Sequence, residues 1–304
     1  MLAELEILDW LQRLGADNAR EVLVGIGDDA AVLELGGEKL LVTTDMLTEG
    51  THFTLDGTDL RLIGRKAVAV NLSDIAAMGG SPIAAFLALA ARRGTAVADV
   101  QRILEGAVEI CREFNCALAG GDLNGTDGPV TVCVTLIGRS GPAGPILRRG
   151  ARPGDVVFVT GRLGGSLSGK HLRFVPRLKE SRFLVDHGPP SALIDLSDGL
   201  ALDAHRIAAA SNCRIVLDAD AIPLSHQALQ AETPLDRALY DGEDFELLGC
   251  MQPQKWDQIR RLWSFETAIT AIGVVEAGAG VYLRLTDGSL REVEQRGYDH
   301  LARR

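Results

Sequence analysis

Between Leu60 and Gly80 the apolar positions fall at helical spacing. Ile63, Ala67, Val70, Asp74 and Met78 recur at steps of 4, 3, 4 and 4, which sets them on one face of a helix. Four of the five are apolar, so that face is expected to be buried. The fifth is a carboxylate, which is costly to bury unless it is paired, hydrogen-bonded or bound to a cation. Upstream, Leu2, Leu5, Leu8 and Leu11 lie three apart and predict an amphipathic helix over 2–14. Strands are expected at about 30–35 and 39–46. Downstream, Ser81-Pro82 breaks the central helix, and the apolar run Ile83 to Ala91 predicts a buried strand. A second amphipathic helix is expected over 97–114, followed by strands at 116–119 and 130–137.

From Ser140 to Gly154 the chain is rich in Gly and Pro and loses all periodicity, which marks the best domain boundary. We expect an N-terminal unit over 1–139 and a C-terminal unit over 148–304. In the second unit, strands fit Asp155–Thr160, Ala192–Leu196, Arg214–Leu217, Phe245–Cys250, Ala268–Val275 and Val281–Leu285, and helices fit 164–180, 200–211 and 253–263. Mixed strands and helices in both halves predict two α/β or α+β domains.

A length of 304 residues accommodates two domains of about 150 residues each. A formal net charge of -10 argues against a nonspecific nucleic-acid binder, which would carry a basic face. It leaves an anionic small substrate open, because bound divalent cations reverse the local charge. The five cysteines are scattered, with no C-x-x-C, and fit small core residues in a reducing compartment. The N-terminal segment carries acids and no basic stretch, so it is not expected to be a signal peptide. The longest apolar run is far short of the ~20 residues that span a bilayer. A cytoplasmic, soluble protein is the expectation.

Asp74 has company. Acids also stand among small residues at Gly25-Ile26-Gly27-Asp28-Asp29, Thr43-Thr44-Asp45, Gly120-Gly121-Asp122 and Asp195-Leu196-Ser197-Asp198-Gly199. Each stretch alone fits a turn or a helix cap. Together, if they converge, they form a cluster of like charges that needs cations to assemble, and hard oxygen ligands of this kind suit Mg²⁺. Asp195 and Asp198 are expected on the first turn of a helix starting near Ser197. Asp241-Gly242-Glu243-Asp244 adds an acidic turn. A segment resembling a P-loop, Gly164 to His171, lacks the hydroxyl that a P-loop offers to Mg²⁺ and is read as glycines packing a helix against a strand. Neither H-E-x-x-H nor G-x-S-x-G occurs.

Taken together, the motifs resemble the thiamine-monophosphate kinase family, within the aminoimidazole ribonucleotide synthetase-like superfamily. They are G-I-G-D-D-A-A-V, T-T-D-M-L-T-E-G-T-H-F, K-A-V-A-V-N-L-S-D-I-A-A-M-G, G-G-D, R-P-G-D-V-V-F-V-T-G, I-D-L-S-D-G-L, G-E-D-F-E-L and G-Y-D-H, in the family's order from residue 25 to 300. The resemblance implies Mg²⁺- and ATP-dependent phosphorylation of thiamine monophosphate to thiamine diphosphate, by direct transfer. It implies Asp29, Thr43, Thr44, Asp45, Asp74, Asp122, Asp195 and Asp198 as magnesium ligands, with Asp45, Asp74 and Asp122 central to catalysis. It implies Gly121, Asp122, Arg148 and Ser197 as nucleotide contacts, with Arg149 the alternative to Arg148. His52, Glu243 and Tyr298 are the implied contacts to thiamine phosphate. The family also implies a homodimer whose N-terminal sheets join into a barrel.

Two departures stand out. Asp241 replaces the first glycine of the family's G-G-E-D, and Lys170 sits at a position the family tends to keep apolar. Selenophosphate synthetase is disfavoured because the first cysteine is Cys111, and aminoimidazole ribonucleotide synthetase because the D-G-V-G-T-K-type segment is missing. A noncatalytic nucleotide-binding protein would be free to lose carboxylates, and this chain retains every expected acid; a metal-dependent phosphohydrolase is the remaining alternative.

Overall fold

The computed structural model describes residues 3–15 and 19–297. Two sheets flank a central helix. The first sheet contains β1 (Val22–Val24), β2 (Ala31–Leu35), β3 (Glu38–Thr48), β4 (Ser81–Arg92), β5 (Ala117–Thr126) and β6 (Thr131–Arg139) in the order β1-β2-β3-β6-β4-β5. All neighbours are antiparallel except β4 and β5, which are joined through helix α3 (Val97–Glu113) and therefore run parallel. Helix α1 (Ala3–Arg13) precedes this sheet.

The second sheet contains β7 (Val156–Thr160), β8 (Ala192–Asp195), β9 (Arg214–Asp218), β10 (Leu247–Met251), β11 (Ile269–Glu276), β12 (Gly280–Arg284) and β13 (Leu290–Glu292). Its order is β13-β12-β9-β11-β7-β10-β8. The helices of this half are α4 (Lys170–Arg173), α5 (Leu178–His187), α6 (Leu200–Ser211), α7 (His226–Leu229), α8 (Pro234–Tyr240) and α9 (Pro253–Leu262).

Helix α2 (Leu60–Ala77) packs between the halves. Asp59 caps it, accepting a hydrogen bond from Arg61 N at 3.1 Å, and Gly79 at positive φ turns the chain away past its end. It touches β3, β4 and β6 on one side and β8, α4 and α5 on the other. The expected face of Ile63, Ala67, Val70 and Met78 is buried, but so are Val68, Ala69, Leu72 and Ile75. A helix covered on both sides is buried nearly all round. Two glycines let it approach α3. A Cβ on Gly64 would lie 1.7 Å from the carbonyl oxygen of Ile103, and one on Gly106 would lie 1.8 Å from that of Arg61.

Four elements differ from expectation. The strand expected to be buried over Ile83 to Ala91 alternates, with Ala85, Leu87 and Leu89 buried and Ile83 and Phe86 exposed, because α2 covers only one face of the sheet. The helix expected over 164–180 is broken into a 3-10 turn at Ser166–Ser168, the short α4, and α5. Gly164, Gly165 and Gly169 adopt positive φ and Pro176 cannot continue a helix, so the apolar spacing is overridden. Strand β5 runs through Gly120-Gly121-Asp122 instead of ending before them, because β4 pairs with it along its length. Gly121 fits there at a φ of 154°, where a Cβ would meet Leu87 O at 1.8 Å. Finally, α6 starts at Leu200 after Gly199, so Asp195 ends β8 and Asp198 lies in the connection; they do not share a helical turn.

Candidate active site

Asp29, Asp74 and Asp195 converge from three elements. One carboxylate oxygen of each lies within 4.8 Å of the others. Asp29 ends the glycine-rich turn before β2, Asp74 projects from α2, and Asp195 ends β8. Each is held by a neighbour. Thr43 Oγ1 donates to Asp74, Ser73 Oγ donates to Asp195 at 2.6 Å, and Arg148 Nη2 donates to Asp29 Oδ1 at 2.7 Å. Asp29 Oδ2 is buried with no hydrogen-bond partner among the described residues.

The electrostatics are those of a cluster short of positive charge. Burial, then the carboxylates of Asp45, Asp195 and Asp29, raises Asp74 well above the ordinary carboxylate range. Burial and Asp29 do the same to Asp195. Asp28 is pushed up to about 6, by burial first and Asp29 second. A bound cation would reverse these shifts. The orphaned oxygen of Asp29 and the all-oxygen donor set fit a hard divalent ion such as Mg²⁺.

Two cavities meet at these acids. The larger, about 890 Å³, is lined by the Gly25–Ala31 turn, Arg148, His205, Arg206 and Gln295 among others. The smaller, about 440 Å³, is lined by Met46, His52, Val70, Leu167, Glu243 and Phe245 among others. Asp45, Asp74, Asp195, Ser197 and Asp198 line both. The acids are thus a shared wall between two chambers.

The remaining expected residues divide. Asp45 shares the inner face of β3 with Thr43, two residues apart. Thr44, between them, turns its hydroxyl to the other face, 3.0 Å from Thr135 Oγ1, although the residue still lines the larger chamber. Asp198 reaches the cleft but is bonded to Arg206 Nη2 at 2.6 Å. His52 and Glu243 line the smaller chamber. Arg148 lines the larger one, whereas Arg149 is exposed and lies outside both. Tyr298 lies outside the described residues.

Gly121 and Asp122 do not join the acids within this chain. They sit on the exposed edge strand β5, with β6 and β4 between it and β3. Three strand spacings amount to about 14 Å. Asp122 also pairs with Ala88, which places it on the outer face of the sheet, opposite to Asp45.

Sequence reasoning missed several residues. Arg206 holds both Asp198 and the buried Asp203, each at 2.6 Å. Lys66 is fully buried on α2, bonded to Glu243 at 2.7 Å, to the carbonyl of His52 at 2.8 Å and to His171 at 3.0 Å. The sequence carries no signal that separates it from Arg61 and Arg65 on the same helix. Burial pushes Lys66 down, and the His171 and Lys66 bonds outweigh burial to hold Glu243 below its ordinary range.

Two backbone N–H groups of the P-loop-like segment are taken by acids of the 241–244 turn. Gly164 N donates to Asp244 Oδ2 at 2.8 Å and Gly165 N to Asp241 Oδ2 at 2.9 Å. Asp241, the departure noted in the sequence, therefore fixes this loop. Lys170 Nζ binds Glu246 at 3.0 Å, a buried acid also held by Arg177 at 2.7 Å. That accounts for the charge of Lys170.

Comparison with known proteins agrees along most of the chain. The family model "AIR synthase related protein, N-terminal domain" matches residues 27–140. A thiamine-monophosphate kinase of Rhodopirellula baltica is 38% identical over 293 residues, 92% of each chain. One of Aquifex aeolicus is 32% identical over 300 residues, 90% of this chain and 92% of that one. The solved complex of AaThiL with AMPPCP and TMP superposes with a TM-score of 0.85 at 30% identity, covering 98% of this chain and 97% of the other.

Proposed function

Since this chain belongs to the thiamine-monophosphate kinase family, we propose that it transfers the γ-phosphoryl group of ATP to the phosphate of thiamine monophosphate, giving thiamine diphosphate. The observation that carries this reading is the acidic wall common to two chambers. A phosphoryl group passing between two bound phosphorylated molecules needs one such meeting point. The larger chamber suits the nucleotide, and the smaller, partly apolar one suits the thiamine moiety. The relative solved with AMPPCP and TMP holds both kinds of molecule.

Transfer between phosphates leaves little covalent work for side chains; positioning and charge neutralisation dominate. Asp29, Asp74 and Asp195 would hold Mg²⁺, with Asp45 and Asp198 beside them at the junction of the chambers. When bound, Mg²⁺ would supply the positive charge that offsets the phosphate oxygens. Thr43 and Ser73 fix two of the carboxylates by donating to them. Arg148 holds the Gly25–Asp29 turn through Asp29 and through Gly27 O, and it lines the larger chamber, where its charge would face a nucleotide phosphate. Arg206 orients Asp198. His52 and Glu243 form the acceptor end.

The working unit in this reading is a homodimer. Met46 and Phe86 are exposed on the outer face of the N-terminal sheet, which also carries Ala88 and Asp122. A second copy covering that face would bury them and carry its Asp122 and Gly121 toward the acids that this chain's own cannot reach. We take 1–139 and 148–304 as the two domains of each subunit, and place the enzyme in the cytoplasm. No helix among the described residues is long and apolar enough to cross a membrane.

The test is incubation of the purified chain with ATP and Mg²⁺, with and without thiamine monophosphate. Thiamine diphosphate formed in step with ADP is expected. ATP loss that ignores the acceptor overturns the reading in favour of a hydrolase, and no turnover at all favours a binding role.

A further inference from the structure

Lys66 plays no part in the chemistry above, yet it occupies an expensive position. Its side chain is 0% exposed, among the largest fully buried groups of the protein. A buried ammonium persists only when its donors are satisfied. Here they are, by groups from three distant segments: His52 O at 2.8 Å, Glu243 Oε1 and Oε2 at 2.7 and 2.9 Å, and His171 Nδ1 at 3.0 Å.

Two of those segments, the ones carrying His52 and Glu243, form the acceptor chamber, and the third adjoins it through Leu167. The backbone of Glu243 is itself held in a left-handed conformation at a φ of 54°, which a non-glycine residue adopts only when its surroundings impose it. Its N–H donates to Ser197 O at 2.7 Å from one side, and its carboxylate is tied to Lys66 from the other. Lys66 stands on α2, the helix that also carries Asp74 and Ser73. The same rigid element therefore sets the acids and the acceptor end of the cleft.

We propose that Lys66 is a positioning residue for the acceptor: it fixes the Glu243 carboxylate and the His52 main chain relative to the acids without touching either substrate. This rests on the assignment of the smaller chamber to thiamine monophosphate. Among the described residues, the groups that bond Lys66 directly do not line the larger chamber, so its direct hold is on the acceptor end.

The test is the split between the two substrates. Lys66→Met, of similar length and without charge, is compared with wild type in steady-state kinetics. The KM for thiamine monophosphate rises about tenfold or more while the KM for ATP stays within about twofold. A merely structural lysine would lower the amount of active enzyme and leave both constants alone. Because Lys66→Met strands the Glu243 carboxylate, the double variant Lys66→Met/Glu243→Met removes both charges, and Glu243→Met alone is the reference. If Lys66 acts through Glu243, the double variant falls short of the sum of the two single effects on acceptor KM. A raised ATP KM, an unchanged acceptor KM, or additive effects overturn the proposal. So does failure of both lysine variants to fold cooperatively, which would make Lys66 structural. Absence of acceptor-dependent turnover in the wild type sinks the functional reading instead, and is seen before any variant is made.

Discussion

Ser73 on α2 donates a hydrogen bond to Asp195 at the end of β8, with the oxygens 2.6 Å apart. The bond crosses from the helix of the first half to the second sheet and sets one of the three converging carboxylates. Replacing Ser73 by Ala leaves a buried carboxylate without its donor. The expected loss of stability is about 1–3 kcal/mol, read by denaturant titration. The Mg²⁺ concentration for half-maximal rate is expected to rise several-fold, because Asp195 is no longer held toward the ion. An unaltered Mg²⁺ dependence would mean that Asp195 is not a ligand.

Asp45 tests the cluster in the opposite direction. Its charge is among the forces that raise Asp74, so it is unfavourable to the metal-free fold. Asp45→Asn is therefore expected to melt at the same temperature or higher, while transfer falls at least ~100-fold. That pairing of lost activity with retained stability separates a metal-binding acid from a structural one. Retained activity removes Asp45 from the site.

The same imbalance has a pH signature. Asp28 and Asp244 are pushed up to about 6 and Asp203 to about 7, in each case chiefly by burial, from an ordinary 3.8. The unfolded chain releases these protons near 3.8, while the folded chain keeps them to about 6 or 7. Across that window the folded state binds more protons, so stability falls as pH rises. Glu243 and Glu246 are held below 4.5, which makes their contribution complete above 4.5 and lost as pH drops further. Without metal, thermal midpoints should decline between about pH 5 and 7, and added Mg²⁺ should flatten that decline. A midpoint that climbs over this range without metal contradicts the burial of these acids.

What could be read in the chain was mostly periodic. The α2 face, the acids in their small-residue settings and the run of β and α elements are local patterns, and Asp29, Asp74 and Asp195 do converge. What could not be read depends on the sheet as a whole. Strand alternation turned Thr44 away from its neighbours Thr43 and Asp45, and strand order placed Asp122 at the far edge. Glycines and Pro176 broke a helix whose apolar spacing looked continuous. Lys66 is legible only once α2 is known to be covered on both sides, since on a one-sided helix a lysine faces water.

The position of Asp122 yields the sharpest test of the dimer. If each site takes Asp45 from one subunit and Asp122 from the other, the variants Asp45→Asn and Asp122→Asn are each inactive alone. A mixed dimer then has one site that carries both substitutions and one that carries neither. Random reassortment makes half of the dimers mixed, so co-refolded or co-expressed variants should recover about a quarter of wild-type activity. If Asp122 served its own subunit, each site of a mixed dimer would carry one substitution and no activity would return. Phe86→Glu, which sets a charge on the exposed outer face of β4, should abolish both dimer formation and this recovery, as read by sedimentation and by the kinase assay. A Phe86→Glu protein that stays dimeric would show that the partner binds elsewhere, and the 14 Å or so between Asp122 and the acids would then need another explanation.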